Sequence, residues 1–231
     1  VAEAGTSDAP SSTPKDDAPQ VEPAPVDAGP LLVVPESSKC FTLTDDFKAP
    51  NHGWVTKGIA TYENEEAVLV TAKSDQKGGI ALPVPPEVNT ASAFTLSFTM
   101  KKDGLADGIS VIWASDTKEP SLGGSGDKIA FCSSGPTGAA VQLNTFNPAI
   151  TLKESDGASC PGKGSVKAVY GATQTVSVTV NQKEVDAIVG SARLRAATAE
   201  PVAIRWVIIA AATGAGTARF AVDDVKLRIC P

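Results

Sequence analysis

The sequence predicts an all-β protein, an antiparallel β-sandwich of the jelly-roll or Greek-key kind, preceded by an acidic linker. Three observations predict it. Apolar and polar residues alternate with period two through much of the chain from Phe41 onward. Clusters of Gly, Pro, Asn and Asp interrupt that alternation at strand-like spacing. Residues 1–38 hold seven of the 17 prolines and no aromatic residue.

The linker comes first. Residues 1–38 are rich in Ala, Ser, Asp and Glu and show no periodicity until Leu31-Leu32-Val33-Val34. Such a segment buries too little apolar surface to offset its ordering entropy, and its prolines keep it semi-extended. The expected organisation is therefore a disordered acidic Pro/Ala/Ser-rich linker over 1–38 and one sandwich domain over 39–231. The linker carries one Lys and seven acids, a net charge of −6, which is also the net charge of the whole chain. The remaining residues balance at 19 of each sign, so the pI near 4.9 belongs to the linker. A neutral domain without a basic stripe argues against nucleic acid and anionic membrane surfaces as partners.

The strands follow in order: "FTLTDDF" (41–47), "AVLVTA" (67–72), "FTLSFTM" (94–100), "ISVIWA" (109–114), "AAVQLNTF" (139–146), "TVSVTV" (175–180), "VAIRWVIIA" (202–210) and "RFAVDDVKLRI" (219–229). β-branched residues and Thr favour the pleated, half-buried surface. "DQKGG", "LPVPPE", "KKDGLADG", "GGSGD", "SSGPTG" and "TGAGT" read as the breaks between them. "TVSVTVNQKEVDAIVG" reads as a hairpin turning at Asn181–Glu184. "GSARLRAATAE" (190–200) is the best candidate for a short helix, and Asp223-Asp224 reads as a strand start or bulge. Trp113 and Trp206 lie in apolar strands and read as core; Trp54 reads as edge packing.

Cys40, Cys132, Cys160 and Cys230 have neither C-x-x-C spacing nor a nearby histidine, since His52 is the only one. Zinc is therefore not expected. Two disulfides in an oxidising compartment are the expectation. Of the three pairings, Cys40–Cys230 would tie the first strand to the last and Cys132–Cys160 would close one loop region; buried free thiols are the alternative. No apolar run approaches the ~20 residues of a membrane-spanning helix. No signal peptide is read and Val1 reads as a processed start. An acidic spacer ahead of a Cys-containing domain suits display at a cell surface, including a lipid-anchored origin.

Four stretches then stand in a recognisable order: Ala106-Asp107-Gly108 before "ISVIWA", Leu122-Gly123-Gly124, "AAVQLNTFN", and "VIIAAATGAG" leading into the last strand. The order resembles the L-type lectins, the legume-lectin-like branch of the concanavalin A-like jelly rolls, over roughly 41–230. The opening "TDDF" and closing "VDDVKL" suit secreted bacterial members of that superfamily. The resemblance implies a carbohydrate-binding domain whose ligand is a glycan or glycoprotein. It implies that Asp107 follows a cis peptide bond and accepts sugar hydroxyls, and that the Gly124 N–H reaches the sugar. It also implies that Thr213, Gly214 and Ala215 frame the sugar and that Phe146 and Asn147 face it.

The family's metal box departs here. The family pattern is Val-Glu-hydrophobic-Asp-Thr-aromatic-x-Asn, whose acids bind a transition metal and calcium. This chain has Gln142 and Asn144 where the acids stand, keeps Phe146, and has Pro148 at the Asn position unless Asn147 is the equivalent. The later acid would be Glu154 or Asp156. Losing two carboxylates weakens Ca2+ binding by several kcal/mol, even at an effective dielectric of about 20. The set left for a weak Ca2+ site is Asp107, Asn144, Phe146, Asn147 and Asp156.

An enzyme is not expected. A glycoside hydrolase needs two carboxylates about 5–9 Å apart across a bond. Glu63 and Glu65 have the spacing but lie outside an apolar strand, and no Glu-x-Asp-x-x-Glu run exists. A Ser/His/Asp set would have to use His52, which has no nucleophile elbow near it. The competing non-catalytic reading is a structural or protein-interaction jelly roll whose sugar site has decayed.

Overall fold

A computed structural model describes residues 31–34, 39–49 and 53–231. The rest of the linker, and His52, lie outside the described residues.

Among the described residues fifteen strands form: β1 Phe41–Asp45, β2 Val55–Gly58, β3 Thr61–Glu63, β4 Glu66–Lys73, β5 Lys77–Pro83, β6 Ala93–Leu105, β7 Gly108–Ala114, β8 Gly138–Asn144, β9 Ala149–Ser155, β10 Gly162–Lys167, β11 Thr173–Asn181, β12 Glu184–Val189, β13 Ala192–Ala197, β14 Trp206–Ala212 and β15 Thr217–Cys230. All pairings are antiparallel, and they make two sheets. The eight-stranded sheet runs β13-β12-β11-β6-β15-β4-β3, with β1 also on β15. The seven-stranded sheet runs β10-β9-β8-β7-β14-β5-β2. This is the expected β-sandwich.

Alternation decides which side chains meet between the sheets. On β6, Phe94, Leu96, Phe98 and Met100 are buried while Thr95, Ser97 and Thr99 face outward. On β7, Ile109, Val111 and Trp113 point to the same core. Phe94 and Trp113 meet edge to face across it, with ring centroids 5.6 Å apart. Each such large side chain stabilises the fold by roughly 1.5–3 kcal/mol. A second, smaller core covers the outer face of the seven-stranded sheet. There the long β7–β8 connection lays Leu122, Ala130 and Phe131 over Ile112, Ala140, Ile208 and Ala210.

Both disulfides have the expected pairing, Cys40–Cys230 and Cys132–Cys160. The β11–β12 hairpin turns at Asn181–Glu184, and Asp223-Asp224 form a bulge, with the register shifting there and Asp224 at φ 51°. Trp113 is core and Trp54 is buried. Trp206 is half-buried, its indole N–H donating to the Asp116 carbonyl at 3.1 Å.

Four expectations need correction. "KKDGLADG", read as a break, holds the last five residues of β6, which stay paired with β15 as far as Leu105. The segment read as a helix contains β13, because pairing with β12 buries Leu194 and leaves Arg195 outside. "DQKGG" holds the start of β5 rather than a break: a Cβ on Gly78 would lie 2.0 Å from the Leu69 carbonyl oxygen, so glycine permits the close packing there. Residues 31–34, counted with the linker, lie against the domain. The Leu32 N–H donates to Asp186 at 3.2 Å, the Asn181 amide donates to the Val33 carbonyl at 3.2 Å, and Val34 is buried with Ala93 and Cys230.

Candidate functional site

Register brings the motif loops together. At one end of the seven-stranded sheet Lys77, Ala212, Gly108, Asn144 and Ala149 stand in a row across β5, β14, β7, β8 and β9. The loops leaving that row carry Asp107, Gly214 and Phe146. Neighbouring strands are about 4.8 Å apart, so residues more than 100 positions apart in sequence become neighbours.

Asp107 sits at the centre. Gly108 must follow it: its φ is +145°, and a Cβ there would lie 1.9 Å from the Leu143 carbonyl oxygen. The peptide bond before Asp107 is trans, since no cis peptide bond occurs among the described residues; the cis bond implied by resemblance is absent. Thr145 locks the turn, its N–H donating to the Asp107 carbonyl at 2.8 Å and its hydroxyl to the Ala106 carbonyl at 2.5 Å. That lock ties the β8–β9 turn to Asp107, and Phe146, the next residue of the turn, is 64% exposed. The Asp107 Oδ2 is shielded from water and makes no well-formed hydrogen bond, although the Gly214 backbone lies against it. Burial pushes the Asp107 carboxyl above its ordinary range; the nearby charges of Asp127 and Asp75 add to this, while the Gly214 N–H opposes it.

Gly214 is the second wall. A Cβ there would lie 2.8 Å from Asp107 Oδ2 and 3.0 Å from the Gly126 Cα. The glycine loop facing Asp107 is therefore at Gly126, φ +65°, not at Gly124. Gly124 has its N–H bonded inside the loop to the Cys132 carbonyl at 2.7 Å, which corrects the expectation that it reaches a sugar. Thr213 is also turned inward: it is fully buried, its hydroxyl donating to the Lys73 carbonyl at 2.8 Å and accepting from the Gln76 N–H at 3.0 Å. Gly214, Ala215, Phe146 and Asn147 remain at the surface. "SLGGSGD" does contain Gly126, but family spacing points to the earlier glycine pair.

The residues set aside for a metal do not make one site. Asn144 Oδ1 accepts the Phe146 N–H at 3.0 Å and the Asn147 N–H at 2.8 Å, an Asx turn that closes β8. Asp156 lies beyond the other end of the β8–β9 hairpin, since Gly138 pairs with Ser155 while Asn144 pairs with Ala149. It caps its own loop, accepting from Ala158 at 2.8 Å and Ser159 at 2.7 Å, and these bonds hold its carboxyl below the usual range. Gln142 turns its amide N–H to the Lys128 carbonyl at 2.8 Å. A calcium site needs several oxygens converging on one point, and this donor set does not supply it. No group of three His, Cys, Asp or Glu side chains converges among the described residues.

Two deeper depressions lie elsewhere. One of about 440 Å³ is lined by Thr137, Glu154, Asp156 and Glu200 at the opposite end of the sandwich. Two of its acids are engaged: Glu154 accepts from the Ala199 N–H at 2.6 Å and pairs with Lys163 at 2.8 Å, and Asp156 caps its own loop. The other, about 290 Å³, lies on the outer face of the eight-stranded sheet around Lys226 and Arg228. The Asp107 cluster is a shallow loop surface. No helix among the described residues is long and apolar enough to cross a membrane.

No family model matches the sequence, and no curated protein matches it. Solved structures do. The exoplasmic/lumenal domain of VIP36 in its Ca2+-bound form superposes with a TM-score of 0.65 at 13% identity, covering 80% of this chain and 88% of that one. Arcelin-5, a lectin-like defence protein of Phaseolus vulgaris, gives 0.64 at 12% identity, covering 84% and 99%. The metal-free carbohydrate recognition domain of Emp46p gives 0.60 at 16% identity, covering 81% and 95%. The fold is the lectin β-sandwich. Identity this low carries the fold alone; VIP36 is also known in a Ca2+- and mannose-bound form, a property of that protein.

Proposed function

We propose that this chain is a non-catalytic, extracellular or cell-surface glycan-binding domain, held away from its attachment by the acidic linker, and that the sugar sits over Asp107. The observation that carries this reading is the Asp107 carboxylate. It is desolvated, crowded by Asp75 and Asp127, and one of its oxygens makes no well-formed hydrogen bond. A structural turn residue has no use for such a cost. A sugar hydroxyl supplies the donor. The two carboxylate oxygens share one charge, and Asp107 is only partly buried, so a sugar hydroxyl donates to the oxygen that faces outward.

Gly214 and Gly126 keep the backbone low enough for a pyranose to approach, and the exposed Phe146 offers its ring to the apolar face of the sugar. Asn147 adds an exposed amide at the rim. Asp127 is paired with Lys128 at 3.0 Å, and Asp107 and Asp75 leave the cluster acidic, so the ligand class is a neutral glycan, free or on a glycoprotein, rather than a sialylated or sulfated one. The carbohydrate recognition domains among the structural neighbours support this reading, and so do the two disulfides for the compartment.

The inward turn of Gly124 and Thr213 favours a second reading, a structural or protein-interaction module with a decayed sugar site. A glycan array separates the two. The wild-type chain is expected to bind neutral glycans, and Gly214→Ala, whose Cβ would crowd Asp107, is expected to lose that signal. No glycan bound by the wild type would decide for the second reading. Phe146→Ala is expected to weaken binding about fivefold, the worth of one aromatic contact, read by titration calorimetry. Unchanged affinity would remove the ring from the site.

A further inference from the structure

Gln142 and Ser110 face each other across β8 and β7 on the outer side of the seven-stranded sheet, beneath the glycine loop. Both are buried, at 3% and 0% exposure. Gln142 Nε2 donates to the Lys128 carbonyl at 2.8 Å and approaches Ser110 Oγ at 3.4 Å. Ser110 Oγ donates to the Ile129 carbonyl at 2.5 Å. Two buried side-chain donors thus take two consecutive backbone carbonyls of one turn.

That turn is the one that presents Gly126 to Asp107. It passes through left-handed Ile129 (φ 44°) and Ala130 (φ 59°). It is closed by Gly123 N–H to the Ala130 carbonyl at 2.7 Å and Ala130 N–H to the Gly124 carbonyl at 2.9 Å. Non-glycine residues in this conformation persist only where the surroundings hold them. The direction of the bonds is the decisive point. A carbonyl accepts, so position 142 must donate, and an ionised carboxylate cannot. The amide at 142 is therefore not a neutralised acid waiting for a cation. Its N–H group points the wrong way for a cation and the right way for the loop.

We propose that the Gln142–Ser110 pair fastens the glycine loop against Asp107 by hydrogen bonds, in the place where lectins of this shape use bound metal, so that ligand binding by this chain is independent of divalent cations. Gln142 is a positioning residue: it acts on the ligand only through the loop. The ligand half of the proposal rests on the glycan reading of the Asp107 cluster; the loop half does not.

The test uses the full chain and three readouts: melting temperature, hydrogen exchange of the peptide covering residues 123–132, and glycan affinity, each with Ca2+ plus Mn2+ or with a chelator. The wild type is expected to give the same values in both conditions. Gln142→Glu, which places an acceptor against the Lys128 carbonyl and the Ser110 hydroxyl oxygen, is expected to speed exchange of that peptide at least about tenfold and to stay so when Ca2+ is added. Gln142→Met, which keeps the shape without the donor, is expected to speed it in the same direction. A cation-dependent rise in the wild-type melting temperature or protection, or recovery of Gln142→Glu by Ca2+, would overturn the proposal, as would unchanged exchange in Gln142→Met. If the wild type binds no glycan, the exchange and melting readouts still decide the loop half, which distinguishes that failure from failure of the glycan reading.

Discussion

Asp107→Asn is expected to abolish glycan binding and, at neutral pH, to make the fold more stable. The first effect follows from the hydrogen bonds. A carboxylate accepts strongly from sugar hydroxyls, and an amide accepts weakly and turns a donor toward them. Losing one or two charge-assisted bonds lowers affinity by at least about a hundredfold. The second effect has the opposite sign because the native site penalises the charge. Burial, then Asp127 and Asp75, raise the carboxyl above its unfolded value, and the Gly214 N–H only partly offsets them. A raised folded value means that the folded state holds its proton more tightly than the unfolded one. The penalty is therefore present above the folded value and vanishes as the pH falls below the ordinary aspartate range. Asparagine removes the charge and keeps an acceptor for Gly214. The gain in Tm is small, on the order of 1–3 °C, because water around a part-exposed carboxylate screens much of the penalty. Melting curves of both proteins from neutral to acid pH check the sign: the curves should converge in acid. A lower Tm for Asp107→Asn at neutral pH would show Asp107 to be a structural turn residue.

Such a trade of stability for function explains which parts of the molecule were legible in the sequence. Alternation exposed the strands that bury one face, such as β6 and β11, because water and the core impose period two on them. It missed the short β2 and β3 and the polar β9 and β10, as well as β5, where Gly78 serves a close backbone approach, and β13, where Ala and Arg at an edge also suit a helix. The motif order placed Asp107, Gly214, Phe146 and Asn147 at one end of the sandwich, and the sheet register brings their loops there. Hydrogen-bond direction was not legible. Gly124 and Thr213 have the right identities, yet their groups are turned inward, and Gly126 two residues along faces Asp107 instead. Gln142 reads in sequence as a lost acid and in structure as a needed donor. Spacing determines which loops meet; which N–H each loop leaves for a ligand depends on backbone torsions that spacing does not encode.

Asp186→Ala is expected to be the most destabilising single change among those considered. Asp186 grips Arg193 with both oxygens, at 2.8 Å to Nε and 2.6 Å to Nη2, and also accepts the Leu32 N–H at 3.2 Å. Both side chains of the pair are nearly closed to water, at 4% and 6% exposure. Burial alone would raise the Asp186 carboxyl. The hydrogen bonds from Arg193 and Leu32 and the charges of Arg193 and Arg195 outweigh it, and the net direction is downward. Removing the carboxylate strips Arg193 of that compensation and releases Leu32, a loss of about 3–5 kcal/mol, or a fall in Tm of roughly 10 °C. The pH signature is opposite to that of Asp107. With a depressed folded value, the stabilisation is present above the unfolded aspartate value of about 3.9 and is lost as pH falls through the folded one. The gap between wild type and Asp186→Ala should thus close in acid. A double change, Asp186→Leu with Arg193→Met, should recover much of the loss, because a buried pair replaced by packed apolar groups is close to neutral. Position separates this result from ligand binding. Asp186 stands in the row of Thr179 and Thr95, and Thr95 lies ten residues along β6 from Leu105 at the Asp107 end, about 30 Å away. Below its own melting temperature Asp186→Ala should therefore bind glycan with wild-type affinity, whereas Asp107→Asn should be fully folded and bind none.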